Sequence, residues 1–165
     1  MGGPLHIRPA NTRDSGAIAE IYNDAVLTTT ATFDTEPRAP ASQEAWLRSH
    51  GGRFAVLVAE AEGLVVGWTS LSQWSDRPAY DDTAETSVYV RKEYHRRGIG
   101  RMLEEAIIDH ARSAGFHTLI ARIAGESAGS LRLHENLGFV HIGTMKEVGR
   151  KFGRLLDVHM MQKML

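Results

Sequence analysis

The 165-residue sequence contains no cysteine. Disulfides, thiolate metal sites and a cysteine acyl-enzyme are excluded, no metal is expected, and the composition suits a reducing cytoplasm. Neither charge is in excess: 19 Lys and Arg stand against 20 Asp and Glu, a formal net charge of −1. Nothing in that balance points to wholesale binding of nucleic acid or membrane. No apolar run approaches the roughly 20 residues of a membrane span. The start, MGGPLHIRPAN, lacks the apolar core of a signal peptide. Its Met-Gly is not a myristoylation signal, because His6 stands where Ser or Thr is needed. Internal repeats, low-complexity segments and inter-domain linkers are also missing. The expectation is one domain over residues 1–165, long enough to bury roughly 70% of the surface of its unfolded chain.

The chain is patterned throughout. HIRPA reads as a first strand. Asn11, Thr12 and Asp14 offer N-caps, and Ile18, Ile21, Tyr22, Ala25 and Val26 recur at helical spacing. TTTATFDTEPRAP reads as a surface loop. Ser42 is the expected cap of a second helix, SQEAWLRSH. FAVLVAEAEG and LVVGWTSLSQW form a hairpin turning near Glu62-Gly63. SDRPAYDD is a polar loop, and TAETSVYV is a strand. RMLEEAIIDHARSAG places Met102, Leu103, Ala106, Ile107 and Ala111 on one helical stripe, which Gly115 ends. FHTLIARI is a strand and SAGSLRLHENLG a short helix. FVHIGTMKEV and LLDVHMMQKM are closing strands around the basic turn GRKFGR. The order β-α-α-β-β-β-α-β-α-β-β predicts an α/β or α+β domain with one central mixed sheet and helices on its faces.

HRRGIGR, residues 95–101, lies between a strand and a helix. A helix start leaves N–H groups unpaired and carries about half a positive charge. Glycine removes the Cβ that would keep a phosphate away from those groups. Arginine adds forked donors that match phosphate geometry. The stretch therefore reads as a diphosphate cradle. It is not a Walker loop, since no Gly-Lys-Ser/Thr follows, nor G-x-G-x-x-G, since Leu103 replaces the third glycine. A tight strand-to-helix turn with solvated arginines is the competing reading.

The stretch resembles the acetyl-CoA pyrophosphate motif of the GNAT acetyltransferases, Gln/Arg-x-x-Gly-x-Gly/Ala, with His95 at the first position. The element order resembles that fold as well. RPAYDDTAETSVYV, GSLRLHENLGF, TATFDTEP and GRKFGRLLDV are similar to the phosphinothricin and methionine sulfoximine N-acetyltransferases within it. The resemblance implies a twisted mixed sheet splayed beside the glycines to admit acetyl-CoA, with helices on both faces. It implies acetyl transfer to the α-amino group of a small amino acid or analogue, and a homodimer. Asp82, Ser75, Leu155 and Ser127 depart from the relatives' usual residues.

An α-amine is mostly an ammonium ion at pH 7, so the reaction needs a proton acceptor, an oxyanion stabiliser and a means of easing the thiolate away. The resemblance makes Glu85 the general base. It makes His134, in LRLHENLGF, an acid-base catalyst or a pocket wall. It brings the backbone of Val88, Tyr89 and Val90 to the pantetheine arm, and Arg96, Arg97, Gly98, Ile99, Gly100 and Arg101 to the diphosphate. Ser127 and Ser130 fall beside the cofactor. Phe33, Arg77 and Tyr80 fall around the acceptor, with Thr86 and Ser87 next to Glu85; Arg77 is the expected clamp for its carboxylate. Lys151 and Phe152 are expected to reach a site across a dimer interface. Two other functions stay open at this point: acetylation of a different amine (a protein N-terminus or an antibiotic), and a CoA-binding module without catalysis.

Overall fold

The computed structural model describes residues 4–165; the Met-Gly start lies outside it. The elements follow the expected order: β1 (Leu5–Pro9), α1 (Ser15–Thr28), α2 (Pro40–Arg48), β2 (Val56–Ala61), β3 (Leu64–Gln73), β4 (Thr83–Val90), α3 (Ile99–Ser113), β5 (Thr118–Ala124), α4 (Ala128–Asn136), β6 (Val140–Lys151) and β7 (Arg154–Met164). They build one seven-stranded sheet in the order β1-β2-β3-β4-β5-β7-β6. Every neighbouring pair is antiparallel except β4 and β5, which are parallel.

That parallel pair is short. It joins Thr83 to Thr118, Ala84 to Leu119 and Glu85 to Ile120, and there it stops. Beyond Glu85, β4 remains bonded to β3 as far as Val90, and β5 remains bonded to β7 as far as Ala124. The sheet is therefore forked, and the fork opens beside the start of α3.

The two sheet faces carry separate cores. Ile18, Ile21, Tyr22 and Val26 of α1 and Leu47 of α2 pack on Val56, Val58, Val65 and Trp68. On the other face, Ile107, Ile108 and Ala111 of α3 meet Leu71, Ala84, Leu119, Ala121 and Ile123. Leu131 of α4 and Leu137, just past its end, join that second core. Strand alternation thus sends Ala84 and Thr86 toward α3, and Glu85, Ser87 and Tyr89 toward α1.

Four local expectations change. Asn11 caps a short 3-10 turn, Thr12–Asp14, in a capping box with Asp14, rather than capping α1 directly. Helix α2 begins at Pro40 with Ala39 as N-cap, so Ser42 lies inside it; proline at the first position presets the helical φ. The turn in GRKFGR shrinks to Phe152-Gly153, because the flanking strands run to Lys151 and from Arg154. Met102 is exposed, whereas Glu104 is fully buried. Residues 99, 103, 107 and 111 recur at four-residue intervals, and 104 and 108 flank them on the buried side.

The loop after α1 is also firmer than a surface loop. Asn23 exchanges two hydrogen bonds with the Arg38 backbone, at 3.0 and 2.8 Å. Tyr22 hydroxyl bonds Asp34 and Thr32. Lys151 Nζ donates to the Thr32 carbonyl at 2.8 Å. Phe33 lies directly over Gly149, where an added Cβ would run into its ring.

Candidate active site

The fork between β4 and β5 forms a cleft of about 640 Å³. Residues Thr86–Val90 line one wall and Ala121–Ala124 the other. The start of α3 at Gly98, Ile99 and Gly100 closes one end, and Ser130, Leu133 and His134 of α4 lie beside it. Main-chain groups of β4 and β5 that would bond each other in a closed sheet face this space instead. Such groups need other partners.

The glycine motif sits where the cleft meets α3. Gly98 is the helix N-cap, with φ at +77°, a left-handed conformation that strains any residue carrying a Cβ. The first bond into the helix runs from Met102 N–H to Gly98 carbonyl, at 3.1 Å. The N–H groups of residues 99–101 precede it and belong to the polar helix end. A Cβ at Gly100 would stand 3.6 Å from Leu133 Cδ2 and 3.9 Å from Val90 Cγ2, so this glycine faces the cleft between β4 and α4. His95, the departure from the motif, bonds the Val90 carbonyl through Nε2 at 2.8 Å. The arginines divide. Arg96 lines the cleft. Arg97 lies over the Tyr94 ring at 4.9 Å, and Arg101 pairs with Glu105 at 2.8 Å.

Tyr89 uses its two halves differently. Its ring packs edge-on against Tyr22 at 5.2 Å and beside Trp68 at 4.9 Å. Burial there pushes its phenol well above the usual range. Its backbone remains on the cleft wall.

Glu85 occupies the last rung before the fork opens. Both its carboxylate oxygens accept from Arg122, Oε2 from Nε and Oε1 from Nη2 at 2.8 Å. Arg122 lines the cleft two residues beyond Ile120, the partner of Glu85. Glu85 holds the guanidinium even more firmly protonated than usual.

His134 lies on the opposite sheet face, buried at 3% exposure. Its Nδ1 donates to the Ser130 carbonyl at 2.7 Å, which fixes the tautomer. Its Nε2 faces Glu104 Oε2 at 3.7 Å. Thr69 and Thr86 hydroxyls donate to Glu104 at 2.9 and 3.0 Å. Burial pushes the Glu104 carboxyl up, while His134 and the two threonines oppose that rise. The carboxylate is thus the centre of a closed network joining β3, β4, α3 and α4 at the cleft.

Of the residues singled out in the sequence, the cleft brings together Thr86, Ser87, Val88, Tyr89, Val90, Arg96, Gly98, Ile99, Gly100, Ser127, Ser130 and His134. Glu85 adjoins them through Arg122. Arg77 and Tyr80 lie in an exposed turn before β4, and Phe33 stacks over Gly149, away from the cleft walls. Lys151 is buried against its own chain's loop rather than extended outward, and desolvation lowers its pKa. Sequence reasoning missed Glu104 and Arg122. Glu104 was detectable as a charge on the buried stripe of α3, and Arg122 as a charge in the apolar run TLIARIA.

The sequence pattern of the acetyltransferase (GNAT) domain matches residues 7–160. The chain is 40% identical over 162 residues to the L-amino acid N-acyltransferase MnaT of Escherichia coli, covering 98% of this chain and 94% of that one. It is 40% identical over 158 residues to a Pseudomonas paraeruginosa L-methionine sulfoximine/L-methionine sulfone acetyltransferase, covering 94% and 92%. A GNAT superfamily phosphinothricin acetyltransferase from Sinorhizobium meliloti, solved in complex with acetyl-CoA, superposes with a TM-score of 0.95 at 34% identity, covering 98% of this chain and 88% of that one. With its forked sheet and the glycine turn at the mouth of the fork, the chain belongs to the GNAT acetyltransferase family.

Proposed function

We propose that the protein, acting as one domain over residues 1–165, moves the acetyl group of acetyl-CoA to the α-amino group of a small amino acid or analogue. Methionine sulfoximine, methionine sulfone and phosphinothricin are the model acceptors, named after those relatives. The observation that carries the reading is the fork itself. It opens beyond the Glu85–Ile120 rung and ends against the glycine-led start of α3. An amide-rich pantetheine arm fits the unpaired strand borders as an added strand would. A diphosphate fits the N–H groups at residues 99–101. The thioester then lies near the fork's closed end, between Glu85 on one face and His134 on the other.

The chemistry follows from that placement. The acceptor ammonium loses a proton to the Glu85 carboxylate, and the freed amine attacks the acetyl carbon. The N–C bond forms, the C–S bond breaks, and the thiolate leaves. Nitrogen sheds two protons in becoming an amide: one passes through Glu85 to solvent, and one ends on the sulfur. We assign that second proton transfer to His134, which lines the cleft on the α3 face between Ser130 and Glu104. Catalysis of this general acid-base kind is worth about 10²–10⁴ in rate.

The test is an acceptor screen with acetyl-CoA that reads free thiol. Methionine sulfoximine, methionine sulfone or phosphinothricin should exceed polyamines, N-terminal peptides and aminoglycosides in kcat/KM, and Glu85→Gln should lose about 10²–10⁴ in kcat. A screen led by peptides or polyamines overturns the acceptor class. Retention of full turnover by Glu85→Gln overturns its role as base.

We also propose a homodimer. The edge strand β6 exposes Val140, Ile142, Met145 and Val148, with Phe152 and Leu155 beside them. A second copy would cover this apolar edge. Sedimentation showing a monomer at micromolar concentration would refute it. We further propose the cytoplasm as its compartment. No described helix is long and apolar enough to cross a membrane.

A further inference from the structure

Strand β5, TLIARIA, is buried at every position but Arg122. A long cation in such a strand has left the core for a partner. Its guanidinium grips both oxygens of Glu85. The two side chains differ in access: 55% of Arg122 is exposed against 15% of Glu85. The Trp74 ring lies 5.9 Å from the guanidinium carbon and limits its swing. The fork of donors is turned onto the carboxylate, and the exposed remainder of the guanidinium borders the cleft above it.

A free α-amino acid carries an ammonium and a carboxylate on one carbon. Its complement is a carboxylate beside a guanidinium, which is what Glu85 and Arg122 present. We propose that the Glu85–Arg122 ion pair is the acceptor's recognition pair, opened by partner exchange: the acceptor's α-carboxylate takes the Arg122 fork, and its α-ammonium takes the released Glu85. This rests on the amino-acid acceptor reading above.

The exchange links recognition to catalysis. While Arg122 holds both oxygens, one lone pair on each is taken and the guanidinium charge opposes an incoming ammonium. An arriving carboxylate replaces Glu85 on the guanidinium, so no charge is left bare. An amine without a carboxylate must strip Arg122 from Glu85 and leave it unmatched. The penalty appears in kcat as well as KM. Arg122, not the exposed Arg77, is then the residue that selects for the carboxylate.

The experiment compares methionine sulfone with its carboxamide, which keeps the amine and loses the acid. Thiol release is measured in wild type, Arg122→Ala, Arg122→Lys and Arg77→Ala. In wild type, the carboxamide should show a lower kcat, not only a higher KM. In Arg122→Ala, the acid-to-amide ratio of kcat/KM should fall about 10- to 150-fold, the worth of one charge-assisted clamp. Arg122→Lys should recover part of the ratio, since lysine keeps the charge without the fork. Arg77→Ala should keep it. A ratio that Arg122→Ala does not move, or that Arg77→Ala moves instead, overturns the proposal, as does equal kcat for both acceptors in wild type. A wild type that acetylates alkylamines and no amino acid overturns the acceptor reading itself, and the recognition pair with it.

Discussion

Gly100 lets the phosphate cradle be tested by size. Its missing Cβ would stand 3.6 Å from Leu133 and 3.9 Å from Val90, ordinary contact distances, and its φ is not in the left-handed region. Alanine therefore fits. Replacing a helical glycine by alanine stabilises by about 0.5–1 kcal/mol, which for a chain of this length raises Tm by roughly 1–4 °C. A single methyl touches the cleft wall without filling the cleft. Valine is different. Its two Cγ atoms project about 1.5 Å beyond the Cβ, into Leu133, Val90 or the space beside the N–H groups of residues 99–101. Loss of one hydrogen bond to a charged phosphate is worth about 1.5–3 kcal/mol. Gly100→Val should thus weaken acetyl-CoA binding about 10- to 150-fold, and Gly100→Ala by less than about threefold. Calorimetric titration with acetyl-CoA gives the affinities, and thermal unfolding without ligand gives the stabilities. A folded Gly100→Val protein that binds within twofold of wild type refutes the cradle. So does an alanine variant that loses as much affinity as valine.

Two further outcomes concern stability. Glu104→Leu removes the acceptor of two buried threonine hydroxyls, at about 1–3 kcal/mol each; urea unfolding should show a loss of about 2–6 kcal/mol, largely regained on adding Thr69→Val and Thr86→Val. A triple variant no more stable than the single one would show that the hydroxyls are not what the carboxylate satisfies. Arg8 hydrogen bonds hold the Asp14 carboxyl below its ordinary 3.8, so its contribution is present above that pH and is lost as pH falls through the lowered value. Asp14→Asn should cost about 1.5–3 kcal/mol at pH 7, and the gap from wild type should close as pH falls below about 4; a gap independent of pH would show that the carboxylate charge contributes nothing.

The elements were readable because their signals are local. Glu62 and Gly63 both take positive φ, 52° and 78°, in a two-residue turn of the kind their flanking strands announce. The glycine-arginine stretch likewise declares a strand-to-helix junction within seven residues. What the sequence withheld depends on register between distant segments. That β4 and β5 stop pairing at Glu85 and Ile120 is decided by neighbours on both sides, and only this stop brings Arg122 over Glu85. Glu104 was hidden for a similar reason. A charge on a helix reads as solvent-facing until Thr69 and Thr86, from two other strands, are seen to meet it. Arg77 marks a different limit: a likeness in RPAY places it at the acceptor, while the turn that carries it lies exposed before β4, outside the residues that line the cleft.

The three-rung ladder between β4 and β5 also makes the sheet a mechanical joint. One panel, β1 to β4, and another, β5 to β6, meet along a seam much shorter than either neighbouring ladder. A donor lying in the fork as proposed would lengthen that seam from its open end, tying panel to panel through its own amides. Its arrival would then add strand pairing as well as a ligand. Amide protons of residues 86–90 and 121–124 should exchange with solvent more slowly once it is in place. On that proposal, release of the free thiol would undo the added pairing and return those amides to faster exchange.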